Sequence, residues 1–163
     1  MKRLLLDTNI YGLIIVDPKR GEIHTIIHSN KELYLYGFEV VRKELRSTKR
    51  VAVNMNLRMD LLRLYDDLVT KSYELNSGME TLAEQYYELY KNLGGTFPKS
   101  EMMNDFLIIA CASLKNLDIV VSNDTKTMFH ELAIKAYTSV NKINRLKLPD
   151  FIGYEKFKNG ITK

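Results

Sequence analysis

Short apolar runs alternate with amphipathic stretches along almost the whole chain, and this alternation predicts a sheet covered by helices. Residues 3–6 make an apolar run of strand length; Asp7 and Thr8 interrupt it, and residues 10–16 are apolar again. That sequence reads as strand, tight turn and helix. Pro18 and Gly21 close the helix, and a short helix follows over 23–28. Residues 33–36 form a second strand candidate closed by Gly37, and 38–49 reads as a helix. Two long amphipathic segments come next. The first, 56–75, carries Leu57, Leu61, Leu64, Tyr65 and Leu68 at helical spacing; the second, 80–93, carries Leu82, Tyr86, Leu89, Tyr90 and Leu93. Asn76, Ser77 and Gly78 break the pattern between them, so it predicts a helical hairpin in the middle of the chain. The tyrosine-rich stripe reads as core or dimer interface rather than as a base-stacking platform.

Pro98 and Ser100 open the next helix, with Ser100 as its N-cap, and it runs to about residue 116. Residues 119–122 are a β-branched strand candidate, 123–125 a turn, and a helix follows to about 134. Residues 135–140 read as a weaker last strand, and 149–157 as a short terminal helix docked by Phe151, Ile152, Tyr154 and Phe157. Strands alternating with helices imply an α/β fold: a mainly parallel central sheet with helices on both faces. With 163 residues, one domain is expected, as a core over 1–140 and a C-terminal extension over 141–163. In such sheets ligands sit beyond the carboxyl ends of the strands.

Composition narrows the classes. No apolar stretch approaches the ~20 residues that span a bilayer. The Lys2-Arg3 start with Leu4 to Leu6 is cut by Asp7, too soon for the h-region of a signal peptide, so a cytoplasmic protein is expected. The single cysteine, Cys111, excludes an intramolecular disulfide or a cysteine zinc site and reads as a buried, inert thiol. Net charge is +4, and its meaning depends on placement. Arg42, Lys43, Arg46, Lys49 and Arg50 cluster in one segment; they fit a solvated helix face and also a phosphate-binding one.

The candidate chemistry lies in four acids. Asp7 and Asp124 each follow a strand, and each also fits a capping or turn role. Glu44 belongs to the inward stripe of its helix with Val40, Val41, Leu45 and Thr48; Glu39 lies on the opposite side. Asp105 opens the apolar run Phe106 to Ala112, beyond the reach of a capping role. An ionised carboxylate there is costly without a partner. Lys99 or Arg42 would be the structural partner, and a metal ion is the other solution. An all-carboxylate cluster suits Mg²⁺ or Mn²⁺. His24, His28 and His130 are not placed with the acids; His24 and His28 have i, i+4 spacing but no Glu between them in the zinc-protease pattern.

These residues resemble a known family. Leu-Leu-Leu-Asp7-Thr8-Asn9 is similar to the opening of PIN domains, as found in VapC toxins. Val40-Val41-Arg42-Lys43-Glu44-Leu45 resembles their second acidic segment. Asn104-Asp105-Phe106-Leu107-Ile108-Ile109-Ala110 resembles the third, and Ile119-Val120-Val121-Ser122-Asn123-Asp124 the fourth. Each motif is weak, but the four stand in order and at similar spacing from Arg3 to about Val140. The segment between Glu44 and Asp105 is long for a minimal toxin, and the tail after Val140 extends past the smallest PIN domains.

The resemblance implies a three-layer PIN-like fold and a metal-dependent endoribonuclease, of the kind that serves as the toxin of a toxin–antitoxin pair. It implies that Asp7, Asp105 and Asp124 hold Mg²⁺ or Mn²⁺ with Glu44 completing the cluster. Thr8, Asn9 and Ser122 would supply hydrogen bonds, and the 42–50 basic face would hold the RNA backbone. A VapB-like antitoxin and a homodimer are the implied partners. Two rivals remain: a non-toxin PIN protein in RNA processing, and a PIN-like binding module that does not cleave. A receiver or phosphatase domain fits less well, because a second nearby Asp and a Gly-rich phosphate loop are both missing.

Overall fold

The structure, a computed structural model, describes residues 1–47 and 55–161. Its centre is a five-stranded sheet in the order β3-β2-β1-β4-β5, parallel throughout. The strands are β1 (Lys2–Leu6), β2 (Leu33–Phe38), β3 (Lys71–Tyr73), β4 (Ile119–Val121) and β5 (Asp150–Ile152). The helices among the described residues are α1 (Thr8–Val16), α2 (Arg20–Ser29), α3 (Glu39–Ser47), α4 (Met55–Leu68), α5 (Ser77–Asn92), α6 (Lys99–Leu114), α7 (Glu131–Ile143) and α8 (Tyr154–Ile161). None of these helices is long and apolar enough to cross a membrane.

The strand order explains the layers. From β1 to β3 the chain moves one way across the sheet; it then returns to β4 and moves the other way to β5. Right-handed crossovers therefore send the two sets of helices to opposite faces. Accordingly α4 packs on α1 and α3, whereas α5 packs on α6 and α7. β1 is central, so Leu4, Leu5 and Leu6 are all buried, which is why that run is continuously apolar. On the second face Tyr86, Tyr90, Phe106 and Tyr137 form a buried edge-to-face cluster. Such pairs add about 0.5–1.5 kcal/mol each beyond the area they bury. The tyrosine stripe is thus core.

Several sequence expectations are corrected. The central helical hairpin does not form. Its first helix ends at Leu68, residues 71–73 become β3, and the two long helices lie in different layers. Gly21 lies inside α2 and Gly37 inside β2, rather than closing elements. A Cβ on Gly37 would stand 2.1 Å from Tyr65 Oη, so glycine there makes room for the tyrosine. Ser100 is not a cap: α6 begins at Lys99 after Pro98. Residues 135–140 are helical, because Ala133, Ala136, Tyr137 and Val140 form one buried face of α7. Residues 150–152, expected within a terminal helix, pair with β4 as an edge strand, and the helix starts only at Tyr154.

Candidate active site

The sheet order reverses between β1 and β4, and the crevice at such a reversal is where open α/β sheets bind ligands. Register does the rest. Leu6 pairs with Val121, and the Asp7 N–H donates to the Val121 carbonyl at 2.9 Å. Asp7 and Ser122 therefore emerge side by side, and Ser122 Oγ donates to Asp7 Oδ2 at 2.7 Å. Asn9 Nδ2 donates to the same oxygen at 2.7 Å, and the Thr8 N–H donates to Oδ1 at 2.7 Å. Asp7 does cap α1, as its local sequence allowed, while its second oxygen faces the crevice network. Capping therefore engages only one of its two carboxylate oxygens.

Glu44 reaches the same place from α3. It accepts a hydrogen bond from the Thr8 hydroxyl and a 2.8 Å bond from Asn104 Nδ2. Glu39, its competitor on the opposite side, pairs with Lys43 and accepts from the Leu75 N–H, a structural role. Asp124 caps the turn after β4: its Oδ1 accepts from the N–H groups of Lys126 and Thr127 at 2.9 and 2.8 Å. Its Oδ2 lies 2.6 Å from Thr127 Oγ1, and the same hydroxyl lies 2.5 Å from Asp105 Oδ2. The structure thus brings together all four acids and all three secondary residues, Thr8, Asn9 and Ser122. It adds Asn104 and Thr127, which no sequence signal distinguished from ordinary surface amide and hydroxyl groups.

The electrostatics are those of a crowded anionic site. Burial pushes the Asp105 carboxyl up to about 7, with Asp7, Asp124 and Glu44 adding to the rise and the Thr127 hydrogen bond opposing it. Burial pushes Asp7 up to about 6, against the Ser122 and Thr8 hydrogen bonds and with help from Glu44 and Asp124. Both structural partners considered for Asp105 are engaged elsewhere: Lys99 with Glu84 and Arg42 with Asp66. Among the described residues no Lys or Arg forms a salt bridge with Asp7, Asp105 or Asp124.

The donor set is all oxygen. Among the described residues no three carboxylate, imidazole or thiol groups enclose a common point. Mg²⁺ does not need such a cage; it dehydrates reluctantly and binds through one or two carboxylates plus waters. Asp105 and Asp124, joined through one hydroxyl, fit that demand. His24 and His28 lie side by side on α2, their rings tilted by 55° with centroids 4.4 Å apart, and belong to no such group. Of the basic face, Arg42 is bonded to Asp66 and Lys43 to Glu39, Arg46 is exposed, and Lys49 and Arg50 lie outside the described residues. Cys111 is buried, as expected, and its thiol is pushed up to about 12. A hollow of about 700 Å³ lies at the amino ends of β1, β2 and β4, beside α8, and none of the four acids lines it.

No protein-family profile matches the chain, and no curated protein does. Solved structures do. VapBC2 from Rickettsia felis, bound to a DNA fragment from its promoter, aligns with a TM-score of 0.60 at 14% identity, over 93% of this chain and 98% of that one. VapBC-1 from nontypeable Haemophilus influenzae aligns with a TM-score of 0.61 at 14% identity, over 94% and 98%. FitAcB from Neisseria gonorrhoeae aligns with a TM-score of 0.53 at 20% identity, over 80% and 93%. The fold is accordingly PIN-like, of the kind seen in VapC proteins.

Proposed function

We propose that this protein is a divalent-metal-dependent endoribonuclease of the VapC type, acting as the toxin of a toxin–antitoxin pair. The observation that carries the reading is the convergence of Asp7, Glu44, Asp105 and Asp124 at the β1/β4 reversal, with no Lys or Arg salt bridge to Asp7, Asp105 or Asp124 among the described residues. Asp7, Asp105 and Asp124 would hold Mg²⁺ or Mn²⁺, with Glu44 completing the cluster. A bound ion would lower the pKa of its water and neutralise charge on the phosphoryl oxygens. Ser122 and Asn9 fix the rotamer of Asp7 by donating to its Oδ2. Thr8 and Asn104 hold Glu44 where it can orient the attacking water and accept its proton.

RNA is the proposed substrate, with Arg42, Lys43, Arg46, Lys49 and Arg50 as its backbone contacts. Arg42 and Lys43 would have to exchange Asp66 and Glu39 for phosphate. A VapB-like antitoxin and a second copy of the chain are the proposed partners. The test is cleavage of end-labelled RNA in Mn²⁺ and in EDTA. Wild type should cut only with metal, and Asp7→Asn should lose the activity while keeping its circular dichroism spectrum. Equal cleavage by Asp7→Asn would sink the assignment.

The Rickettsia felis relative was solved on promoter DNA, which supports a second reading: a module that acts with a partner at a promoter without cutting. Absence of thermal stabilisation by millimolar Mn²⁺ would favour that reading.

A further inference from the structure

The turn after β4 carries a hydroxyl that belongs to neither a strand end nor an acidic motif. Thr127 is 9% exposed, and its Oγ1 lies 2.5 Å from Asp105 Oδ2 and 2.6 Å from Asp124 Oδ2. One carboxylate comes from α6 and the other from the loop beyond β4, so this hydroxyl joins two elements that are 22 and 3 residues away in sequence. A hydroxyl carries one hydrogen and can donate to one carboxylate at a time, so the two acids share it.

Thr127 is itself held. Its N–H donates to Asp124 Oδ1 at 2.8 Å, the Phe129 N–H donates to the Asp124 carbonyl at 2.8 Å, and Met128 beside it is fully buried. A β-branched side chain on a fixed backbone has few rotamers, so Oγ1 cannot swing away cheaply. Two oxygens on one Mg²⁺ at ~2.1 Å stand about 3 Å apart when adjacent and about 4 Å when opposite. The two contacts to Oγ1, 2.5 and 2.6 Å, keep the carboxylate oxygens no more than about 5 Å apart, so that a small adjustment brings both onto one ion.

We infer that Thr127 is a positioning residue that sets the spacing of Asp105 and Asp124 for a divalent cation and acts only through those two carboxylates. The inference rests on the metal-dependent reading above. Groups that orient metal ligands in this way are typically worth about 10–100-fold in metal affinity.

The experiment is Mn²⁺ titration of the full chain, with free Mn²⁺ read by electron paramagnetic resonance, for wild type, Thr127→Val and Thr127→Ser. The valine keeps the branched shape and removes the hydroxyl; the serine restores the hydroxyl and removes the methyl. Affinity should fall about 10–100-fold in the valine variant and return to within about threefold of wild type in the serine variant. If Thr127→Val fails to fold, Thr127→Ala gives the same reading without a clash. Wild-type affinity in a folded Val or Ala variant would overturn the role of Thr127 alone, as would a serine variant as weak as the valine one. Wild type that binds no Mn²⁺ would instead remove the metal site, and this inference with it.

Discussion

The carboxylate cluster should make the metal-free protein less stable than it would be without one of its acids. Asp105→Asn is the sharpest perturbation. The asparagine keeps the size of the side chain, and its carbonyl oxygen can still accept from Thr127. What disappears is the ability to ionise. The Asp105 carboxyl rises from 3.8 to about 7 in the fold. At about 1.4 kcal/mol for each tenfold, ionising it in the folded state costs roughly 4 kcal/mol. Asp7 rises in the same cluster, and the two share part of that cost. A range of about 2–4 kcal/mol is therefore expected for Asp105 alone.

The direction with pH follows from proton counting. Between about pH 4 and 7 the folded protein keeps protons that the unfolded chain has released, so stability falls as pH rises through that window. Above about 7 the full penalty is present; below about 4 it is absent. In EDTA at pH 8, Asp105→Asn should melt higher than wild type. For a domain of this size a kcal/mol corresponds to about 2–4 °C, so the gain is roughly 5–15 °C. At pH 4 the two proteins should melt together. Thermal melts by circular dichroism from pH 4 to 8.5 measure this directly. A variant that melts at or below wild type at pH 8 would refute the picture of a repulsive, half-buried cluster.

Other parts of the structure make independent predictions. Gly37→Ala would place a Cβ 2.1 Å from Tyr65 Oη and 2.8 Å from Val69 Cγ1, and should cost about 1–3 kcal/mol in urea unfolding; an unchanged midpoint would mean that Tyr65 can move freely. Tyr86→Phe removes the hydroxyl that donates to Asn141 Oδ1 at 2.5 Å and leaves a buried acceptor unpaired. A loss of about 1–3 kcal/mol is expected by the same measurement. Cys111 is fully buried with its thiol pushed up to about 12, so a thiol-specific chromogenic disulfide should react with it at pH 8 only after denaturant is added. Fast reaction in native buffer would show that α6 opens.

Much of the candidate site was legible because its residues violate local expectations. A carboxylate at 105 ahead of seven apolar residues, and one at 44 on an apolar helix stripe, each call for a partner that the sequence nearby does not supply. The central strands were legible for a related reason: a strand buried on both faces must be apolar at every position, and residues 4–6 and 119–121 are. The edge strands were not. Lys71-Ser72-Tyr73 and Asp150-Phe151-Ile152 carry no run of their own, and only the backbone of the neighbouring strand makes them sheet.

Amphipathic spacing determined that α4 and α5 each bury one face. It could not say against what, and β3 between them sends them to opposite layers. Asn104 and Thr127 mark the same limit inside the site. A lone amide and a lone hydroxyl look alike anywhere in a sequence, and what gives them carboxylates to hold is the packing of α3 and α6 beside the β4 turn. Local chemistry along the chain marks which acids could not stand alone. The tertiary structure decided that they meet, because convergence depends on strand order and register, and these are properties of the assembled sheet and not of any one segment.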